Sequence, residues 1–178
     1  PQLGAAWAKV VEGDQGLLQQ WSIPDVTPQQ AFYEREVQPL YSGGAKRVFV
    51  VISDALRYEV AQELVQFTNG KNRFKASLST MLGVLPSYTA LGMAALLPHQ
   101  TLAYKETANL DVLADGHLVA TLEQRNEHLK GVGGMAIKAE DLIALGKEKG
   151  RDLVRDRQLI YIYHDRIDMT GDKQASES

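Results

Sequence analysis

Four acids stand where chemistry needs them. Asp54 closes the apolar run "VFVVISD", and Asp165 and Asp168 close "LIYIYHDRID". Asp172 follows Asp168 by four positions. Each run has the length and composition of a strand buried on both faces of a parallel sheet. Ligands of open parallel sheets bind beyond the carboxyl ends of the strands. If these two strands are parallel neighbours, their acids meet at one edge. Gathered carboxylates repel one another unless a cation lies between them. Taken alone, Asp54 is equally explained as the N-cap of the helix that follows, a position Asp favours. Taken with the second cluster, it points to a metal.

The string "GVLPSYTALGMAALLPH" adds a hydroxyl. Pro86 precedes Ser87 and Thr89, and a compact helix follows at once. A hydroxyl at a helix start sits among unpaired backbone N–H groups, where an oxyanion or phosphate is favoured. A divalent cation nearby lowers the hydroxyl pKa and makes it a nucleophile. The competing reading is that Ser87 or Thr89 simply caps the helix. His164 ends a strand beside the acids and is either a ligand or a surface histidine. Arg57, one turn into the first helix, would reach a phosphate bidentately or stay in a solvated ion pair. His99, His117 and His128 read as structural or solvated, and "KEKGRDLVRDR" as a solvated helix face.

The elements that position these groups follow from pattern. "LGAAWAKVVEGDQGLLQQW" has helical spacing with glycine interruptions, and "PQQAFYEREVQPLY" reads as a helix ended by Gly43-Gly44, its last turn shortened by Pro39. From Lys46 the pattern alternates: strand "KRVFVVIS", helix "ALRYEVAQELVQF", strand "RFKASLSTM", loop "LGVLPSY", helix "TALGMAALL". "LDVLADGHLVATL" predicts a hairpin around Asp115-Gly116. Helix "EQRNEHL", strand "GGMAIK", helix "AEDLIALGKEKGRDLVRD" and strand "RQLIYIYHD" complete the series. Alternating strands and helices define an α/β fold, a mainly parallel sheet flanked by helices. Residues 1–44 form a helical lead-in and 45–178 the domain proper.

The 178 residues suffice for one domain, and 44% hydrophobic with 23% charged residues is ordinary for a globular protein. A net charge of -3 gives no basic footprint for nucleic acid, although a local basic groove stays open. With no cysteine, disulfides, zinc fingers and thiol nucleophiles are excluded. Any metal must use Asp, Glu, His and hydroxyl donors, which suit hard or borderline cations. No apolar run approaches a membrane span, and no signal peptide is legible. The chain starts at Pro1 and stops in "GDKQASES", so both ends read as cut.

"VISDALRYE", "LPSYTALGMAALLPH" and "YIYHDRIDMTGD" together resemble, in order, the motifs of the PglZ-type domain of the alkaline phosphatase superfamily. The resemblance runs from about Lys46 to Ser178, the first part of such a domain, truncated at its C-terminus. It implies an alkaline-phosphatase-like fold and two divalent metal ions, with Zn, Mn and Mg all open. Asp54 and Thr89 would face one metal, and Asp168 and Asp172 the other, with His164 as a further donor. Diesterase relatives carry Pro-Ser/Thr-x-Thr, which "PSYT" matches, so Thr89 rather than Ser87 is the implied nucleophile. Where relatives have Asp-x-x-Gly-His, this chain has Asp168 to Asp172, an oxygen donor in place of the histidine. Arg57 would stabilise the phosphoryl oxygens. The later Asp-His and His motifs do not occur here. The resemblance further implies a cytoplasmic bacterial protein of a BREX or Pgl phage-defence system. It would act as a metal-dependent phosphohydrolase on a phosphate ester, alongside other defence proteins. Two alternatives stand beside it: a phosphodiesterase or nuclease acting on DNA, and a non-catalytic scaffold binding defence partners.

Overall fold

A computed structural model describes residues 2–13, 16–71, 73–105, 107 and 110–176, with 172–176 as backbone alone. Its central sheet is parallel and three-stranded. β8 (Leu159–His164) lies between β2 (Val48–Ser53) and β7 (Gly134–Lys138). β2 and β8 are rich in β-branched and aromatic residues, which suit a pleated surface. Alternate residues point to one face, as the two-residue strand period requires. Val48 and Val50, Leu159, Tyr161 and Tyr163, and Ala136 enter the hydrophobic core from that face. Leu91, Ala94 and Ala95 of α4 (Thr89–Ala95) meet them there. The Tyr161 hydroxyl donates to Leu96 O at 2.6 Å, satisfying a deeply buried polar group.

The two strand runs differ in burial, against expectation. β8 is buried along most of its length. β2 is the sheet edge, and its outer face leaves Phe49 48% and Val51 63% exposed. α6 (Ala139–Val154) packs on β7 and β8 rather than β2. α3 (Tyr58–Asn69), which follows β2, has no buried residue.

A second, antiparallel sheet joins β4 (Leu102–Lys105), β5 (Asp111–Ala114) and β6 (His117–Leu118). The expected hairpin is β5–β6. Asp115 and Gly116 both take positive φ, 50° and 80°, as a type I′ turn demands. β4 pairs with β5, a partner the sequence pattern did not reveal.

Three further expectations are corrected. "RFKASLSTM" is not a strand beyond its end: only Met81–Leu82 (β3) pairs, in parallel with Thr27–Pro28 (β1). Asn69 instead exchanges two hydrogen bonds with the Ala76 backbone, taking the place of a ladder. "PQQAFYEREVQPLY" is not one helix. It is a 3-10 turn (Gln29–Ala31), a π-helical turn (Tyr33–Val37) and α2 (Gln38–Ser42). Pro39 lacks an N–H, so an uninterrupted α-ladder cannot form there. α6 is broken at Gly146, whose φ of 69° only glycine adopts at little cost.

The lead-in begins with α1 (Gln2–Glu12), which buries nothing. Later residues pack closely on the rest. Val37 is 2% exposed within the core, and Gln29 donates to Gly92 O and accepts from Val84 N. Two helices complete the chain, α5 (Leu122–Lys130) and α7 (Arg166–Ser176). His128 donates to Pro98 O and His99 to Leu97 O, structural roles as expected.

Candidate active site

The acids leave the sheet at one edge. β2 and β8 run in register with Ser53 opposite His164, so Asp54 and Asp165 emerge side by side. The Asp54 amide donates to His164 O at 2.9 Å, extending the ladder past the strand. Ser53 Oγ lies 2.9 Å from His164 Nδ1, which fixes the ring and leaves Nε2 as its other nitrogen.

Asp54 is not a helix cap. α3 starts at Tyr58, with Arg57 in the cap position and no side-chain capping bond. Asp54 Oδ1 accepts the Ala55 amide at 3.0 Å. Ala55 itself has φ 59°, a left-handed conformation costing roughly 1 kcal/mol or more for a residue with a Cβ. Asp168 lies in the first turn of α7. Asp172 follows in the same helix, and its side chain lies outside the described residues. Arg57 stands before the helix rather than one turn inside it. Its guanidinium is 3.4 Å from Glu59, both side chains largely exposed.

Thr89 is likewise free of capping. It is the first residue of α4, and Tyr88 holds the cap position with no side-chain capping bond. Tyr88 is anchored by its own hydroxyl, which donates to Leu110 O at 2.6 Å. Thr89 opens on a cleft of about 450 Å³, whose polar wall is Arg125, Lys138, Tyr163 and Asp165 and whose apolar wall includes Met93 and Leu122. Neither Asp54 nor Arg57 lines it. α4 has seven residues, too short for its dipole to dominate, so charge facing Thr89 must come from side chains.

Sequence reasoning singled out Asp165 but missed Arg125, Lys138 and Tyr163. Arg125 is 8% exposed. A capping box between Thr121 and Gln124 sets the start of α5 and so the place of Arg125. Arg125 Nε donates to Val119 O at 3.0 Å and Nη2 to Ala120 O at 2.6 Å. Its guanidinium carbon lies 4.8 Å from the Tyr163 ring centroid. One signal was available: Leu122, Arg125 and Leu129 share a helix face by spacing, and Leu129 is fully buried. Tyr163 is 7% exposed; its hydroxyl makes no hydrogen bond of full geometry among the described residues, with Arg125 near enough to act on it only weakly. Such a group costs roughly 1–3 kcal/mol. Burial pushes its pKa up to about 12 against the lowering effect of Arg125, so near neutral pH it is a proton donor. Lys138 ends β7 and holds the N-cap position of α6 with no side-chain capping bond. A second cleft of about 610 Å³ shares Lys138 and Asp165 and runs along Arg166, Met169 and Thr170.

The donors at this edge are carboxylates, an imidazole and a hydroxyl, kinds that suit Zn, Mn or Mg. Among the described residues, no three His, Asp or Glu side chains are grouped so as to hold a metal ion. The donor types fit a metal site; their number does not close one.

A parallel sheet with acids at its carboxyl edge and a hydroxyl at an adjacent helix start is an α/β domain whose ligand site lies beyond the strand ends. The family model of the BREX system PglZ alkaline phosphatase-like domain matches residues 32–178, and the chain belongs to that family. It is 48% identical over 177 residues to the alkaline phosphatase-like protein BrxZ of Escherichia coli O9:H4 (strain HS). It is 38% identical over 179 residues to the alkaline phosphatase-like protein PglZ of Bacillus cereus (strain H3081.97). These alignments cover 99% and 98% of this chain and 20% of each relative, so the chain spans about a fifth of the length of the curated relatives it matches. No solved structure matches it.

Proposed function

We propose that this chain supplies the nucleophile and part of the metal-facing edge of a phosphohydrolase in a bacterial phage-defence system. The observation that carries this reading is Thr89: exposed, relieved of capping, and open to a cleft with two cations at the carboxyl edge of the sheet. Thr89 Oγ1 attacks phosphorus in line, and the bond from phosphorus to the ester oxygen breaks. The alcohol departs with a proton, leaving phospho-threonine. Water then attacks phosphorus, releasing phosphate and restoring the hydroxyl. Asp54 with Thr89 for one ion, Asp168 with Asp172 for the other, and His164 as a further donor, are the groups we assign to two divalent ions, Zn, Mn or Mg, which when bound would make the hydroxyl and the water more acidic. His164 is pre-oriented for this by Ser53.

A phosphodiester, DNA included, is the second reading. "PSYT" has the diesterase spacing, and the cleft is within the size range that holds a whole small ligand rather than one phosphoryl group. Other proteins of the defence system are its proposed partners and the bacterial cytoplasm its proposed location. No helix among the described residues is long and apolar enough to cross a membrane.

The test uses the full-length protein with a monoester dye, a diester dye and DNA. Thr89→Ala is expected to lower turnover by about a thousandfold or more, as loss of a covalent nucleophile does. Its stability should change by less than about 1 kcal/mol, because Thr89 caps nothing. Unchanged turnover in folded Thr89→Ala protein would transfer the role to Ser87. A metal-replete parent inert toward every ester would instead support a scaffold.

A further inference from the structure

Arg125 is a buried charge with no carboxylate ion pair among the described residues. It is 8% exposed, and charged side chains are rarely so buried unless paired. Its partners are two backbone carbonyls and the Tyr163 ring face. These hold the guanidinium in place but do not neutralise it. Two of its N–H groups are held by backbone carbonyls, and a guanidinium carries five. The remainder belong to a side chain that lines the cleft on which Thr89 opens. Tyr163, in the same wall, has a buried hydroxyl whose contact with Arg125 falls short of a full hydrogen bond. Lys138 completes the wall from the end of β7. The carboxylate present, Asp165, forms no ion pair with Arg125 or Lys138 among the described residues. It also faces the neighbouring cleft, where Arg166 stands.

We propose that Arg125, Lys138 and Tyr163 form an oxyanion site whose ligand is a phosphate group. Donors arriving from α5, the β7–α6 junction and β8 surround a tetrahedral oxyanion better than a planar carboxylate. In a substrate, this ligand is the phosphoryl group presented to Thr89; in the product, it is inorganic phosphate. The role in turnover rests on Thr89 as nucleophile, but the binding does not.

Calorimetric titration of the full-length, metal-replete protein with inorganic phosphate tests it, with acetate as the planar control. Lys138→Gln and Arg125→Gln should each weaken phosphate binding at least tenfold, while Lys138→Arg should stay within about threefold of wild type. If Arg125→Gln fails to fold, having lost its bonds to Val119 and Ala120, Lys138→Gln decides alone. Phosphate binding to Lys138→Gln as tightly as to wild type overturns the proposal. So does acetate binding as tightly as phosphate. Turnover retained by Thr89→Ala would remove the proposed nucleophile, while the phosphate titration would still judge this site.

Discussion

At the scale of residues, Tyr163 serves ligand binding at the expense of the empty fold. A buried hydroxyl without a full hydrogen bond destabilises the protein, and an apolar isostere removes that cost. Tyr163→Phe is therefore expected to stabilise the phosphate-free, full-length protein by about 1 kcal/mol and to weaken phosphate binding. Urea unfolding with and without phosphate reads both signs. A Tyr163→Phe protein less stable than wild type without phosphate would mean that the hydroxyl is satisfied in solution. Asp54 and Thr89 belong to the same scale. Their types and positions were legible in the sequence, because strand ends and helix starts are marked by pattern. The choice between cap and functional group was not legible. It turns on one or two residues at a helix boundary, and Arg57 and Tyr88 hold those cap positions. Arg125 was hidden because "EQRNEHL" is almost wholly polar, so its apolar face is carried only by its last residue, Leu129, and by Leu122 just before it.

Among elements, α5 couples stability to the site. Thr121 accepts the Gln124 amide at 3.3 Å, and Gln124 Oε1 accepts the Thr121 amide at 3.0 Å. Arg125 follows directly, its amide donating to Thr121 O at 3.0 Å. Thr121→Ala should cost about 1 kcal/mol, and Thr121→Ser much less. Because the box sets where Arg125 stands, the alanine variant should also bind phosphate several-fold more weakly. Loss of stability with unchanged phosphate affinity would show that the cap and the anion site are independent. β8 was readable because a buried parallel strand is a nearly pure apolar run, and β2 carries the same run although its outer face is exposed. "RFKASLSTM" misled because alternation signals a strand only where a neighbour completes the ladder, and Asn69 completes it differently. β4 went unseen because "LAYK" is short, and its pairing depends on β5 across an intervening loop.

Over the whole molecule, a mainly aliphatic core encloses tyrosines, and these give the protein an alkaline limit. Burial raises the pKa of Tyr163 to about 12. Burial, with Tyr33 adding to it, raises Tyr41 to about 12 as well. Tyr161, packed against Tyr163, is pushed up further, mainly by burial. In the unfolded chain these groups ionise near pH 10. Below that pH both states keep their protons, and the tyrosine contribution is fully present. Between pH 10 and 12 the unfolded chain loses protons that the folded protein retains, so stability falls as pH rises through this window. For Tyr163 alone the loss is on the order of 3 kcal/mol, which is large against the stability of a typical domain. The urea midpoint should stay level up to about pH 9.5 and then drop steeply. Tyr163→Phe should drop less steeply, since phenylalanine has no proton to release. Equal slopes in the two proteins would mean that Tyr163 ionises in the folded state as readily as in water, and that the wall beside Thr89 is wetter than its burial indicates.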